Sequence, residues 1–199
     1  MRHVEAGARQ IATVRQLVFV AVIALGAFLL GAVVGMPPYR RDDWPHWITG
    51  LDPEHPCRDT RQLVLARDAR PSSLKWNEDG CRVVSGLWID PYSGELISDP
   101  ADLDVDHVVA LQDAHRRGAA GWSRDRKRQY ANDLRYRFHL LAVSASLNRA
   151  KGAKDASAWV PDRAYWCQWG QARATIAVLD RLRVPELERL AIASLVRTC

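Results

Sequence analysis

The sequence predicts an α+β fold built around a small antiparallel sheet, on three observations. Short Val/Leu-rich runs at 102–111 and 138–144 have strand character. Turn-forming Asp, Pro, Ser and Gly punctuate the stretch around residue 90. Most of the remaining chain carries apolar residues at helical spacing, so helices and strands follow one another in mixed order. At 199 residues the chain has room for one domain with its own core, and 48% hydrophobic and 26% charged residues argue against long disorder.

Taken in order, residues 1–16 read as a cytoplasmic N-terminus. Residues 17–36, "LVFVAVIALGAFLLGAVVGM", form an uncharged run preceded by Arg2, Arg9 and Arg15. A helix of that length spans roughly 30 Å, the thickness of a bilayer core. Its basic flank orients the rest of the chain outside the cytoplasm. The segment is therefore expected to anchor the protein in the membrane. The competing reading is a cleaved signal that releases a secreted protein, although the exit "GAVVGMPP" lacks a clean A-x-A site. Residues 37–54, rich in Pro and charge, read as a linker, and 55–199 as the folded domain.

Within that domain "TRQLVLARDA" has helical spacing, and "CRVVSGLWIDPYSGELI" predicts two short strands about a D-P-Y-S-G turn. "LDVDHVVAL" is strand-like. Residues 110–136 suggest two short helices separated by "GAAGW", "FHLLAVS" is a further strand, and "SLNRAKGAKD" opens a helix. Two more helices follow, the last introduced by Pro185.

Cys57, Cys81, Cys167 and Cys199 lack C-x-x-C spacing, which argues against a structural zinc site. Of the three pairings, Cys57–Cys81 and Cys167–Cys199 each close a moderate loop within one part of the chain. They are expected in an exported protein, the alternative being four buried free thiols. The formal charge of +5 is mild: residues 1–36 hold three Arg and one Glu, leaving 25 of the 28 basic and 22 of the 23 acidic residues to the remainder. Local clustering matters more. Arg116, Arg117, Arg124, Arg126, Lys127, Arg128, Arg135 and Arg137 lie close together. They read either as a patch for phosphates, through Arg124, Arg126, Lys127 and Arg128 above all, or as a solvated helix face. His115 reads as a surface helix residue, and Trp122, Trp159, Trp166 and Trp169 as core.

Candidate chemistry sits at strand ends. Asp106 and Asn148 offer hard oxygen ligands suited to Mg²⁺, and His107 is a base competent near neutrality. Neighbouring strand residues point to opposite faces, so Asp106 and His107 can serve one substrate only where the strand ends or bulges. On composition alone, an Asp-His pair is more often a solvated strand end than a catalytic centre.

The ordered series "DVDHVVAL", "WS", "YANDL", "LLAVSASLNRAKG" and "AWVP" resembles the HNH, or His-Me finger, nucleases. It is closest to the branch related to the C-terminal nuclease domain of GmrSD-type restriction enzymes. "CRDTRQLVL", "GLWIDPYSGEL" and "YWCQW" extend the likeness, which covers roughly residues 55–199. The resemblance implies a ββα-metal core holding one divalent ion, Mg²⁺ or Mn²⁺, on Asp106 and Asn148. It implies His107 as general base and His139, where the family usually has Asn or His, as the residue that orients it. Lys151 would steady a phosphate or be merely solvated. The implied activity is phosphodiester hydrolysis of DNA, or RNA, leaving 5′-phosphate ends. An inactive nucleic-acid-binding relative and a disulfide-stapled envelope interaction domain are the alternatives.

Overall fold

The computed structural model describes residues 35–199. The expected cytoplasmic stretch 1–16 and all but the last two residues of the apolar segment 17–36 lie outside them. No helix among the described residues is long and apolar enough to cross a membrane. Tyr39–Cys199 forms one unit of α+β type, with three two-stranded antiparallel sheets and six α-helices among the described residues.

The stretch expected to be a linker belongs to that unit from Tyr39 onward. A 3-10 turn, Arg41–Asp43, delivers Trp44 into full burial, where its ring meets Trp122 and Tyr130 at centroid distances of 6.1 and 5.8 Å. The Asn132 side chain then accepts from Ile48 N (3.2 Å) and donates to Pro45 O (2.8 Å). Pro and charge suggested exposure at 37–54, but one indole buries some 150–250 Å², enough to dominate so short a segment. The folded body thus begins near residue 39 rather than 55.

Helix α1 (Thr60–Asp68) starts where Asp59 caps Gln62 N at 2.9 Å. It buries Val64 and Leu65 against Val83, Trp88, Leu103, Val105, Leu140 and Ala142. Strand β1 (Lys75–Trp76) pairs with β2 (Val83–Ser85) beside the Cys57–Cys81 disulfide. β3 (Trp88–Ile89) pairs with β4 (Leu96–Ile97) around the expected turn. There the buried Asp90 side chain accepts from Tyr92 N (3.0 Å) and Ser93 Oγ (2.8 Å), and Gly94 takes φ +76°.

The central pair is β5 (Leu103–His107) with β6 (Leu140–Ser144), antiparallel, with Asp106 opposite Leu141 and His107 opposite Leu140. Residues directly opposite share a face. Leu103, Val105, Leu140 and Ala142 therefore look to the α1 side. Leu141 and Val143 look to a larger core containing Trp44, Tyr92, Tyr130, Trp169, Ile176 and Ile192. Because both of its faces are covered, β6 reads as a near-continuous apolar run, whereas β5 alternates Leu103 and Val105 with Asp104 and Asp106.

Between β5 and β6 come α2 (Leu111–Arg116) and α3 (Arg124–Ala131), the latter capped by Ser123. α4 (Ala145–Lys151) follows β6 at once and is ended by Gly152 at φ +52°. α5 (Trp166–Leu179) and α6 (Glu186–Val196) form an antiparallel pair tied by Cys167–Cys199. A Cβ on Gly170 would stand 2.9 Å from Leu195 Cβ, so only glycine permits this closeness.

A buried quartet of charges locks these helices to the end of β5. Arg173 donates to Glu188 Oε1 (2.9 Å), Asp113 Oδ2 (3.0 Å) and Val108 O (2.8 Å). Arg117 donates to Asp113 Oδ1 (2.8 Å) and contacts Glu188. His115, expected at the surface, is buried with its ring edge-on to Tyr39 at 5.6 Å, because the 39–47 segment covers α2.

Candidate active site

β5 ends at His107, and this ending resolves the alternation problem. Asp106 and His107 both line one cavity of about 320 Å³, together with Asn148, Tyr39, Arg41 and Arg149. Strand, helix α4 and the 39–47 segment each contribute a wall.

His107 is fixed on three sides. Trp47 stacks on it nearly parallel (5.7 Å, 10°), and Tyr130 is parallel to it at 6.2 Å. Its Nε2 lies 3.0 Å from Ala131 O. A carbonyl only accepts, so Nε2 carries the proton and Nδ1 keeps its lone pair. Burial, helped by neighbouring His139 and the Arg41 and Lys151 charges, holds this imidazole well below its ordinary range and hence neutral.

His139, expected to orient the base, makes no hydrogen bond with His107 among the described residues. Its Nε2 donates to Tyr130 O at 3.0 Å, the carbonyl next to the one His107 uses, and the two rings meet edge-on at 6.1 Å. His139 thus pins the end of α3, and α3 presents Ala131 O to His107. Burial lowers its pKa to about 4.

Asp106 is the most constrained group. Tyr92 Oη donates to its Oδ2 at 2.5 Å, and Lys151 Nζ reaches its Oδ1 at 2.8 Å and His107 O at 2.9 Å. Burial and the Asp106 charge push the Tyr92 phenol well above its ordinary pKa, so it stays a donor. Lys151 is 0% exposed. This corrects the expectation of a phosphate-binding lysine: its ammonium is consumed in joining α4 to the end of β5. Tyr92 escaped the sequence reading, where the D-P-Y-S-G turn signalled backbone geometry but not the phenol it carries.

Asn148 donates from Nδ2 to Asp104 Oδ2 at 3.1 Å, and Arg149 lies 3.8 Å from the same oxygen. No hydrogen bond among the described residues uses Asn148 Oδ1. Asp104 therefore supports the Asn148 side chain. The described residues hold no cluster of three or more His, Cys, Asp or Glu side chains placed for a metal. The donor set at the cavity is smaller: one carboxylate and one amide oxygen. A carboxylate has about four acceptor positions, so Asp106 retains capacity beyond Tyr92 and Lys151. Two hard oxygen donors fit an ion of the Mg²⁺ type, which keeps most of its water.

The basic cluster divides. Lys127 is buried against the Trp44 ring (5.7 Å), and Arg117 belongs to the buried quartet, so neither is available to a ligand. Arg124, Arg126 and Arg128 are exposed. Arg124 donates to Asp42 O (2.9 Å), and Arg126 donates to Asp180 O (3.2 Å) and lies over Trp122. Both disulfides form as expected.

No protein-family model matches the chain, and no solved structure does. Among curated proteins, a protein of Arthroderma benhamiae described as an uncharacterized secreted protein is 35% identical over 162 residues, covering 81% of this chain and 76% of that relative. Its secretion and the two disulfides here both fit a location outside the cytoplasm. At that identity and coverage, the chain belongs to the family of this secreted A. benhamiae protein.

Proposed function

We propose that the protein is a metal-dependent endonuclease of the HNH type, hydrolysing phosphodiester bonds of nucleic acid, DNA in the first place, outside the cytoplasm. One observation carries the reading: an imidazole with a proton-free Nδ1 shares a small cavity with a carboxylate and an amide oxygen. On this reading β5, β6 and α4 are a ββα-metal unit. His107 Nδ1 takes a proton from water as the water oxygen bonds to phosphorus. The bond from phosphorus to the 3′ oxygen breaks, and that oxygen takes a proton from solvent, leaving 5′-phosphate and 3′-hydroxyl ends. Asp106 and Asn148 would hold a divalent ion, Mg²⁺ or Mn²⁺, whose charge offsets that developing at the phosphate. Trp47 and the Ala131 carbonyl fix the ring so that Nδ1 needs no reorganisation. The exposed Arg124, Arg126 and Arg128 add sequence-independent attraction to phosphates. Segment 17–36 would anchor the chain in a membrane or, if cleaved, release it.

The test is plasmid nicking by the full chain with disulfides intact, in Mg²⁺, Mn²⁺ or EDTA, beside His107→Ala. Metal-dependent cleavage lost in the variant is expected. Equal cleavage by the variant would end the assignment of the base. The Asp106–Lys151 ion pair favours a second reading, a nucleic-acid-binding protein without cleavage. It would appear as DNA retention at low salt with no nicking under any metal.

A further inference from the structure

The 39–47 segment places a cation at the cavity that the proposed hydrolysis has not used. Arg41 lines the same wall system as Asp106, His107 and Asn148. Its guanidinium donates from Nε (3.2 Å) and Nη2 (3.0 Å) to one atom, His46 Nε2. His46 in turn presents Nδ1 to Trp44 O at 2.6 Å. Since that carbonyl accepts, Nδ1 bears the proton and Nε2 is the lone pair that Arg41 grips.

This arrangement differs from the usual way of holding an arginine. Arg117, Arg135 and Arg173 are each held by carboxylates, which cancel their charge. Arg41 makes no ion pair among the described residues and is held by a neutral ring. A neutral acceptor orients a guanidinium and leaves its charge whole. Of five N–H donors two are spent on His46, and the rest remain for a planar or tetrahedral oxyanion.

The segment is built to hold this position. Trp44 roots it in the core, Trp47 lies on His107, and the His46 and Trp47 rings meet at 5.5 Å. Trp47 keeps φ at +26°, a conformation unfavourable for a bulky residue that the packing on both sides sustains. Asn132 clamps Pro45 O and Ile48 N on either side. Root, strain and clamp all fall at residues 44–48 and so fix His46, which grips Arg41, while Tyr39 and Arg41 themselves line the cavity.

We infer that Arg41 binds a phosphate of the substrate at this cavity and that His46 is its positioning residue. The inference rests on the nuclease reading and deepens it. Across the cavity Arg149 sits near Asp104, so Arg41 is the cation left with its full charge for the anion.

The experiment measures binding apart from cleavage. The full chain, in EDTA, is titrated into a fluorescein-labelled DNA duplex of about 12 base pairs, followed by anisotropy over a range of salt. Arg41→Gln is expected to weaken binding about tenfold or more and to reduce the salt slope by about 0.9, the loss of one phosphate contact. Arg197→Gln, an exposed arginine away from the cavity, is expected to leave both unchanged. His46→Leu should reproduce the Arg41→Gln weakening in part, and His46→Gln, which retains an acceptor, should restore it. If Arg41→Gln and Arg197→Gln behave alike while the parent protein binds and nicks DNA, the inference is overturned and the nuclease reading stands. If the parent protein neither binds nor nicks, both fall together.

Discussion

Acidification from pH 7 to pH 4 should cost the fold about 3 kcal/mol at one side chain, His139. It is 2% exposed, and burial brings its pKa from 6.5 to about 4. Its Nε2 proton is already committed to Tyr130 O. In the unfolded chain the imidazole takes up a second proton as pH falls through 6.5, and in the folded chain it refuses one until about 4. The unfolded state therefore binds more protons across this window. Stability is full above 6.5, falls by about 1.4 kcal/mol per pH unit below it, and levels off near the folded pKa. His107, also held well below its ordinary range, contributes with the same sign. Asp133 and Asp155, whose carboxyls are lowered from 3.8, lose their contributions only below the window. Urea denaturation followed by tryptophan fluorescence at pH 7, 6, 5 and 4 measures the slope. His139→Asn keeps an amide donor for Tyr130 O and removes the titration. Its stability should fall less than the parent's between pH 6.5 and 4, by the same 3 kcal/mol or so. Parallel curves for the two proteins would refute a buried neutral His139.

Further expectations concern single contacts. Arg173→Met leaves the buried Asp113 and Glu188 with Arg117 and only the half-exposed Arg116 beside it, and thermal melting should show a loss of about 3–5 kcal/mol; less than about 1 would mean the quartet is solvated. Gly170→Ala forces α5 from α6 and should cost about 1–3 kcal/mol, read in the same assay. Selective loss of Cys167–Cys199 by a double Ser variant should lower the urea midpoint by the equivalent of about 3–4 kcal/mol, given a separation of 32 residues.

What the sequence made legible were features written in consecutive residues. Short Val/Leu-rich runs marked β5 and β6, Asp90 and Gly94 marked a turn, and moderate loop lengths marked both disulfides. The approach of Asp106, His107 and Asn148 to one cavity was legible through the resemblance, not through spacing. What escaped depends on partners far along the chain. Lys151 looks solvated until Asp106, 45 residues earlier, is found against it. Arg117 and Lys127 look like parts of a basic face, yet the first meets Glu188 and the second an indole. The 39–47 segment carries Pro and charge like a linker, and only its tryptophans hinted otherwise. Charge and exposure are related by the company a side chain keeps, and local composition does not record that company.

The buried quartet also bears on how this family can vary. Two carboxylates and two guanidinium groups sum to zero, so the set is tolerable inside the protein only when complete. Losing any one member strands a charge without water, whereas exchanging all four for apolar residues of like volume removes every such penalty at once. Intermediate sequences are the unstable ones. Across relatives, Asp113, Arg117, Arg173 and Glu188 should accordingly be inherited as a block, present together or replaced together, and substitutions confined to one of them should be selected against even where the cavity chemistry is untouched.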